Sequence, residues 1–284
     1  MTAEPKTLID GLVFPEGPRW HDGRLYFSDM HDHRVVAVDE SGASETIVEV
    51  PRCPSGLGWL PDGRMLVVSM EDRRLLRLER DGRLTEVADL SALASFHCND
   101  MVVDREGRAY VGNFGFDLHG GAALEKTNLI LVEPNGRARV VAEDLGFPNG
   151  TVITPDGRTL IVGESFGGCL TAFDVAGDGS LSNRRVWAKL GGGSVPDGIC
   201  LDAEGAIWVA SPTNNRCIRV REGGEVADEI PLPDRNAYAC MLGGADRRTL
   251  FLCTAKGAHP TDWIALRSGR IETVRASAAG AGLP

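Results

Sequence analysis

The stretch Phe147-Pro148-Asn149-Gly150-Thr151-Val152-Ile153-Thr154-Pro155-Asp156-Gly157 joins a proline–glycine step to an apolar run and then to a tight turn. The arrangement recurs along the chain. Phe14-Pro15-Glu16-Gly17 leads to His21-Asp22-Gly23, Cys53-Pro54-Ser55-Gly56 to Pro61-Asp62-Gly63, and Val195-Pro196-Asp197-Gly198 to Ala203-Glu204-Gly205. Cys98-Asn99-Asp100 lacks the proline and the glycine but reaches Arg105-Glu106-Gly107 at the same distance. A sixth, degenerate copy runs from Ala237-Tyr238-Ala239 through Asp246-Arg247-Arg248 to Leu250-Phe251-Leu252. Every turn is followed by a short apolar run, such as Leu25-Tyr26-Phe27 or Ala206-Ile207-Trp208-Val209. Short strands joined by glycine-bearing turns read as hairpins. Six such units with a period of about 40–50 residues predict an all-β, six-bladed β-propeller with four antiparallel strands per blade.

The blades are expected over residues 12–50, 51–90, 91–142, 143–190, 191–232 and 233–276, within a single domain spanning 1–284. Thr7-Leu8-Ile9 is expected to close the ring against the last blade. Ser91–Ser95 reads as a helical turn, Ile264–Arg267 as a strand, and the small-residue tail from Ala276 to Pro284 as frayed. The third unit carries a glycine-rich insertion, Phe114-Gly115-Phe116-Asp117-Leu118-His119-Gly120-Gly121; long loops inside compact repeats are often functional.

Composition bounds the partners. The net charge of −10 argues against a nucleic-acid or anionic-membrane partner. No apolar run approaches the roughly 18–20 residues that span a bilayer. Met1-Thr2-Ala3-Glu4-Pro5 has neither the basic start nor the apolar core of a signal peptide. Seven cysteines without a C-x-x-C pair read as buried free thiols in a reducing compartment, so the expected location is the cytoplasm.

The variable residue of the repeated step forms a column: Glu16, Ser55, Asn99, Asn149, Asp197 and Tyr238. In a propeller the first strand of each blade lines the central channel, so a sequence column becomes a ring in space. Two carboxylates and two amides are hard oxygen donors, unlike the nitrogen and sulfur set that structural zinc prefers. One divalent cation would offset the crowding of Glu16 and Asp197. Ca2+ suits this set best, with Zn2+, Mn2+ or Mg2+ as alternatives. Few protein ligands leave positions for water and substrate, which favours a Lewis-acid site. The bland reading is turn chemistry, with polar side chains facing a wet channel.

At Pro15-Glu16-Gly17-Pro18, Asn99-Asp100, Pro148-Asn149-Gly150 and Pro196-Asp197-Gly198, in that order, the chain resembles the family of senescence marker protein (regucalcin), gluconolactonase and luciferin-regenerating enzyme. The resemblance covers nearly the whole length. It implies a six-bladed propeller with one catalytic divalent metal and lactone hydrolysis. It also implies that Glu16, Asn149 and Asp197 are the metal ligands, that Asn99 lies beside the metal and contacts substrate, and that Asp197 is the general base or nucleophile. Asp100 and Ser55 would support these from behind. Where sugar lactonases often carry an arginine two residues before the Asn-Asp pair, this chain has His97, a candidate for binding substrate and protonating the leaving alkoxide. Asp117 is a candidate for contacting the substrate.

Phe14, Phe96, Phe114, Phe116, Phe147 and Met101 are expected to crowd the mouth, with Phe14, Phe114 and Phe147 touching substrate. A site built for a polyol would carry more polar donors. The expected activity is therefore metal-dependent opening of a lactone or ester less hydroxylated than a sugar lactone. The alternatives are a non-catalytic propeller that binds calcium or a protein partner, and a phosphotriesterase-like or other carbonyl-directed enzyme on the same platform. His31-Asp32-His33 reads as a solvated turn, and His119 as part of a lid.

Overall fold

The computed structural model describes residues 4–282. Six four-stranded antiparallel sheets are arranged as the blades of a β-propeller. The innermost strands are Pro15–His21, Pro54–Trp59, Cys98–Val103, Pro148–Ile153, Ile199–Leu201 and Asn236–Gly243. In blades 1 to 5 the next three strands follow outward in chain order. Blade 6 is completed from the other end of the chain. Its outer strand is Lys6–Leu12, paired with Gly269–Arg275 through Lys6 opposite Thr273 and Leu12 opposite Gly269. The strand expected at Thr7–Ile9 is therefore present and closes the ring.

Second strands such as Met65–Ser69 and Ile207–Ser211 are buried on both faces, because each sheet packs against two neighbours. This explains their continuous apolar character, since alternation is lost when neither face meets water. The core accordingly lies between blades. Val102, Tyr110, Leu145, Leu160 and Phe173 join blades 3 and 4, and Leu25, Phe27, Trp208, Cys240, Phe251 and Ile271 join blades 5, 6 and 1. All seven cysteines are free thiols. Among the described residues no helix is long and apolar enough to cross a membrane.

Two expectations are corrected. Ile264–Arg267 is not a strand. It lies in and just after the α-helix Pro260–Leu266, where Pro260 occupies the first helical position and the His259 side chain accepts from Thr261 N–H. Proline at that position and an acid in the first turn are helix-start signals, and they outweigh the apolar spacing. The helical turn expected at Ser91–Ser95 is present as a single turn, with Ala94 N–H donating to Leu90 C=O at 2.8 Å. The tail does not fray over its described part. Ala276 and Ala278 are buried, Ala203 N–H donates to Ala279 C=O, and Ala281 N–H donates to Leu201 C=O, fastening blade 6 to blade 5. Leu283 and Pro284 lie outside the described residues.

Candidate functional site

Five of the six innermost strands have a break in pairing register at the column. It falls between Glu16 and Arg19, Pro54 and Leu57, Cys98 and Met101, Pro148 and Thr151, and Ala237 and Ala239. In blade 5 the regular strand begins only at Ile199, and Asp197 lies just ahead of it. Bulges re-aim side chains and recur next to active sites. Here they direct the column toward the axis. The glycine that follows the column residue is required by crowding. A Cβ on Gly56 would lie 2.4 Å from Met101 N, on Gly150 2.4 Å from Ile199 N, and on Gly198 2.4 Å from the Ala239 Cβ. Each innermost strand thus abuts the next around the axis, and only a hydrogen side chain fits between them.

A second ring, absent from the sequence reading, holds the first. At the ends of the second strands, Asp29 Oδ1 accepts from Val13 and Phe14 N–H at 2.9 Å each, Glu164 Oε2 from Gly146 N–H at 2.8 Å, and Ser211 Oγ from Val195 N–H at 3.0 Å. These bonds fix the segments that enter the innermost strands. Phe147 and Cys53, at matching places in those segments, have φ of +61° and +59°. A non-glycine residue there costs about 1–2 kcal/mol, and such strain clusters at ligand sites.

Glu16 and Asp197 lie near each other and near Asp100, Asn149 reaches Asp197, and Asn99 precedes Asp100 on the innermost strand of blade 3. Glu16, Asn99, Asn149 and Asp100 are buried, and Asp197 keeps some exposed surface in the channel. Burial first, then the nearby Asp197 and Asp100, hold Glu16 well above the usual carboxylate range; Gly17 N–H on its Oε2 and Arg19 pull the other way. Burial pushes Asp197 up to about 8, and Asp100 adds to the rise while the Asn149 amide opposes it. Asn149 Nδ2 donates to Ser165 Oγ at 3.3 Å, and that hydroxyl donates to Pro196 C=O at 2.8 Å. The buried Nδ2 of Asn99 has no partner. Ser55 is buried in the same ring, its carbonyl accepting from Ser28 Oγ at 2.6 Å. Tyr238 turns toward the mouth: its hydroxyl donates to Gly257 C=O at 2.7 Å, and burial pushes its pKa up to about 12.

Above this floor lies an apolar rim. Phe14, Phe114, Phe116, Phe147, Tyr238 and Trp263 form one buried cluster, with Phe96 packed against it. Met101 does not join them; it is fully buried in the core between blades 2 and 3. Trp263, carried on the helix that the sequence reading took for a strand, stacks on Phe14 with ring centroids 3.9 Å apart. His31 stacks on Trp263 at 5.5 Å, so it is part of the rim and not a solvated turn; burial pushes its pKa down to about 4 and leaves it neutral. His119 of the blade 3 insertion meets His259 at 5.4 Å and Trp263 at 5.9 Å, so loops from blades 3 and 6 touch over the mouth. His97 stacks on Phe96 at 4.1 Å, and burial lowers its pKa. Asp117 is exposed and accepts from Gly120 N–H at 2.8 Å, bracing its own loop. Clefts of about 440 and 400 Å3 lie on the outside, lined by residues such as Leu8, Arg34 and Ser44 or Pro155, Arg185 and Trp187, and touch no column residue.

The chain is 27% identical to a 6-deoxy-6-sulfogluconolactonase of Pseudomonas putida over 89% of its own length and 87% of the relative's. It is 27% identical to a pentonolactonase of Haloferax volcanii over 85% of its length and 81% of the relative's. The solved structure of regucalcin from Agrobacterium tumefaciens, a calcium-binding protein, superposes with a TM-score of 0.82 at 20% identity, covering 100% of this chain and 97% of that one. The family model described as the SMP-30/Gluconolactonase/LRE-like region matches residues 14–256, a span that includes the whole column from Glu16 to Tyr238, and the chain belongs to that family.

Proposed function

We propose that the protein is a metal-dependent lactonase whose ring of Glu16, Asn149 and Asp197 holds one divalent cation, with Asn99 alongside. The observation that carries this reading is the meeting of two carboxylates and two amides, each delivered by a different blade. The donor set fits such a cation on its own chemistry. Two carboxylates driven toward protonation by burial form a site that lacks a compensating positive charge. Calcium accepts irregular sets of carboxylate and carbonyl oxygens and suits it best. Such a cation, when bound, supplies Lewis-acid polarisation of an ester carbonyl.

The chain's own residues do the rest. Asp197, the acid with surface open to the channel, accepts a proton from the attacking water. Asn99 presents its free amide N–H groups to a carbonyl oxygen or to that water, as an oxyanion donor would. Ser165 holds the Asn149 amide in place. Lactone hydrolysis is carried over from the two relatives named as lactonases. Those names denote sugar lactones, whereas Phe14, Phe114, Phe147 and Trp263 give this site an apolar rim. A lactone with fewer hydroxyls and a hydrocarbon or aryl substituent fits that rim better. The neutral His97 serves as wall, stacked on Phe96.

The test is a panel of aryl- and alkyl-substituted lactones, aldonolactones, aryl esters and organophosphates, assayed after chelation and after readdition of Ca2+, Zn2+ or Mn2+. Lactone opening that disappears with chelator and returns with metal is expected. Full turnover in chelated enzyme would refute the metal reading, and turnover of organophosphates alone would move the chemistry to phosphotriesters.

A further inference from the structure

Arg19 lies three positions after Glu16 on the innermost strand of blade 1 and is only 4% exposed. Its guanidinium reaches past blade 2 to blade 3. Nη2 donates to Asp100 Oδ1 at 2.8 Å and to Met101 C=O, while Nη1 donates to Pro18 C=O at 2.8 Å. Asp100 Oδ1 also accepts from Met101 N–H at 2.8 Å. The other buried arginines are engaged elsewhere: Arg219 with Asp202 and Glu204, and Arg235 with Thr254 and Glu272 on the outer strands of blade 6. The channel thus gathers three carboxylates, Glu16, Asp100 and Asp197, against one guanidinium.

We propose that Arg19 is a positioning residue that sets the charge of the channel site. It neutralises Asp100, so that the two remaining carboxylates present a net charge of −2, and it fixes the strand from which Asn99 projects. The inference rests on the metal-centre reading above and concerns how the chain tunes that centre to a divalent ion. A buried guanidinium fork suits this duty, because it satisfies a carboxylate and a carbonyl at once and is always charged. Asn99 is adjacent in sequence to Asp100, so the bonds that pin Asp100 also limit where the Asn99 amide can go.

The test is a double-mutant cycle on the full chain, read by isothermal titration with CaCl2 and with TbCl3 as a trivalent probe, and by melting in chelator. Wild type must bind Ca2+ first; no binding there would overturn the metal-centre reading together with this one. Asp100→Asn keeps the acceptor for Met101 N–H but leaves Arg19 uncompensated, and is expected to weaken Ca2+ binding about tenfold or more. Arg19→Met leaves Asp100 without its cation, so a third uncompensated negative charge lies near the site, and it is expected to raise the ratio of Tb3+ to Ca2+ affinity about tenfold. The double variant restores the balance and is expected to recover Ca2+ affinity to within about threefold of wild type. A purely structural role predicts that the double variant binds at least as poorly as the worse single one, and that outcome would overturn the proposal while leaving the metal reading intact. Should Arg19→Met fail to fold, Arg19→Lys keeps the charge and must keep the Tb3+ to Ca2+ ratio; a changed ratio there would equally overturn it.

Discussion

Asp197 and Glu16 have no strong cationic partner in the channel, and their titration should be visible in the stability of the metal-free protein. A carboxyl raised in the folded state prefers to stay protonated there. Between the ordinary Asp value of 3.8 and about 8 for folded Asp197, the unfolded chain is ionised while the folded one holds its proton. The folded state then binds more protons, so stability falls as pH rises through that window and levels off above it. Glu16 acts in the same direction. The buried, neutral His31 and His97 act the other way as pH rises toward 6.5, so the test is a difference: in chelator the melting temperature of wild type relative to Asp197→Asn should decline from pH 4 to 8, and saturating Ca2+ should flatten that decline; a difference that does not fall over that range would contradict the burial of this acid. Asp197→Ala should abolish Ca2+ binding by calorimetry together with lactone turnover. These residues were legible in the sequence because a fixed period on a closed wheel converts a column into a ring. Arg19 was not, because its partner Asp100 lies 81 positions away and nothing in Pro18-Arg19-Trp20 distinguishes it from a surface arginine.

Two glycines of one repeat unit separate the forces acting on its two ends. Gly157, at the outer turn, has φ +72° and nothing within 4 Å of an added Cβ, so Gly157→Ala should cost only the left-handed penalty of about 1–2 kcal/mol. Gly150, at the axis, would place a Cβ 2.4 Å from Ile199 N and 2.6 Å from Asp197 C=O. Overpacking of this kind costs about 1–3 kcal/mol, occasionally more, and it pushes directly on the blade that carries Asp197. Gly150→Ala should therefore lower metal affinity as well as melting temperature, while Gly157→Ala leaves affinity unchanged in the same titration. The helix Pro260–Leu266 shows where element-level reading failed. Ile264 and Leu266 suggest a strand, yet both are more than half exposed, and the buried side chain is Trp263. If Trp263 forms the apolar rim of the substrate site, Trp263→Ala should lower kcat/KM for an aryl-substituted lactone about tenfold or more and change that for a small unsubstituted lactone little, within the range that apolar pockets discriminate. Equal losses on both substrates would make Trp263 a packing residue only.

The ring has one seam, in blade 6, where Lys6–Leu12 from the start of the chain pairs with Gly269–Arg275 near its end. The short run Thr7-Leu8-Ile9 made this strand readable, although reading Ile264–Arg267 as a strand filled its place in blade 6 from within the repeat. The fastening of the tail to blade 5 was not readable, because Ala276 to Gly282 has no pattern apart from small size; its order comes from backbone bonds to Arg247, Arg248 and Leu201. The seam also positions the site, because Glu16 follows Leu12 by four residues and its strand begins at Pro15. Deleting residues 1–12 would bare the edge of Gly269–Arg275, where Ile9 pairs with Ile271, and remove Leu8, Ile9 and Leu12 from the core they pack against. Exposed strand edges of this sort recruit other chains, so the truncated protein should melt earlier and elute partly as oligomer in size-exclusion chromatography. An opened wheel also frees Glu16 from Asp197, so Ca2+ affinity should fall along with stability. A truncated chain that melts early yet binds Ca2+ as the full chain does would show that ring closure and ligand convergence are separable.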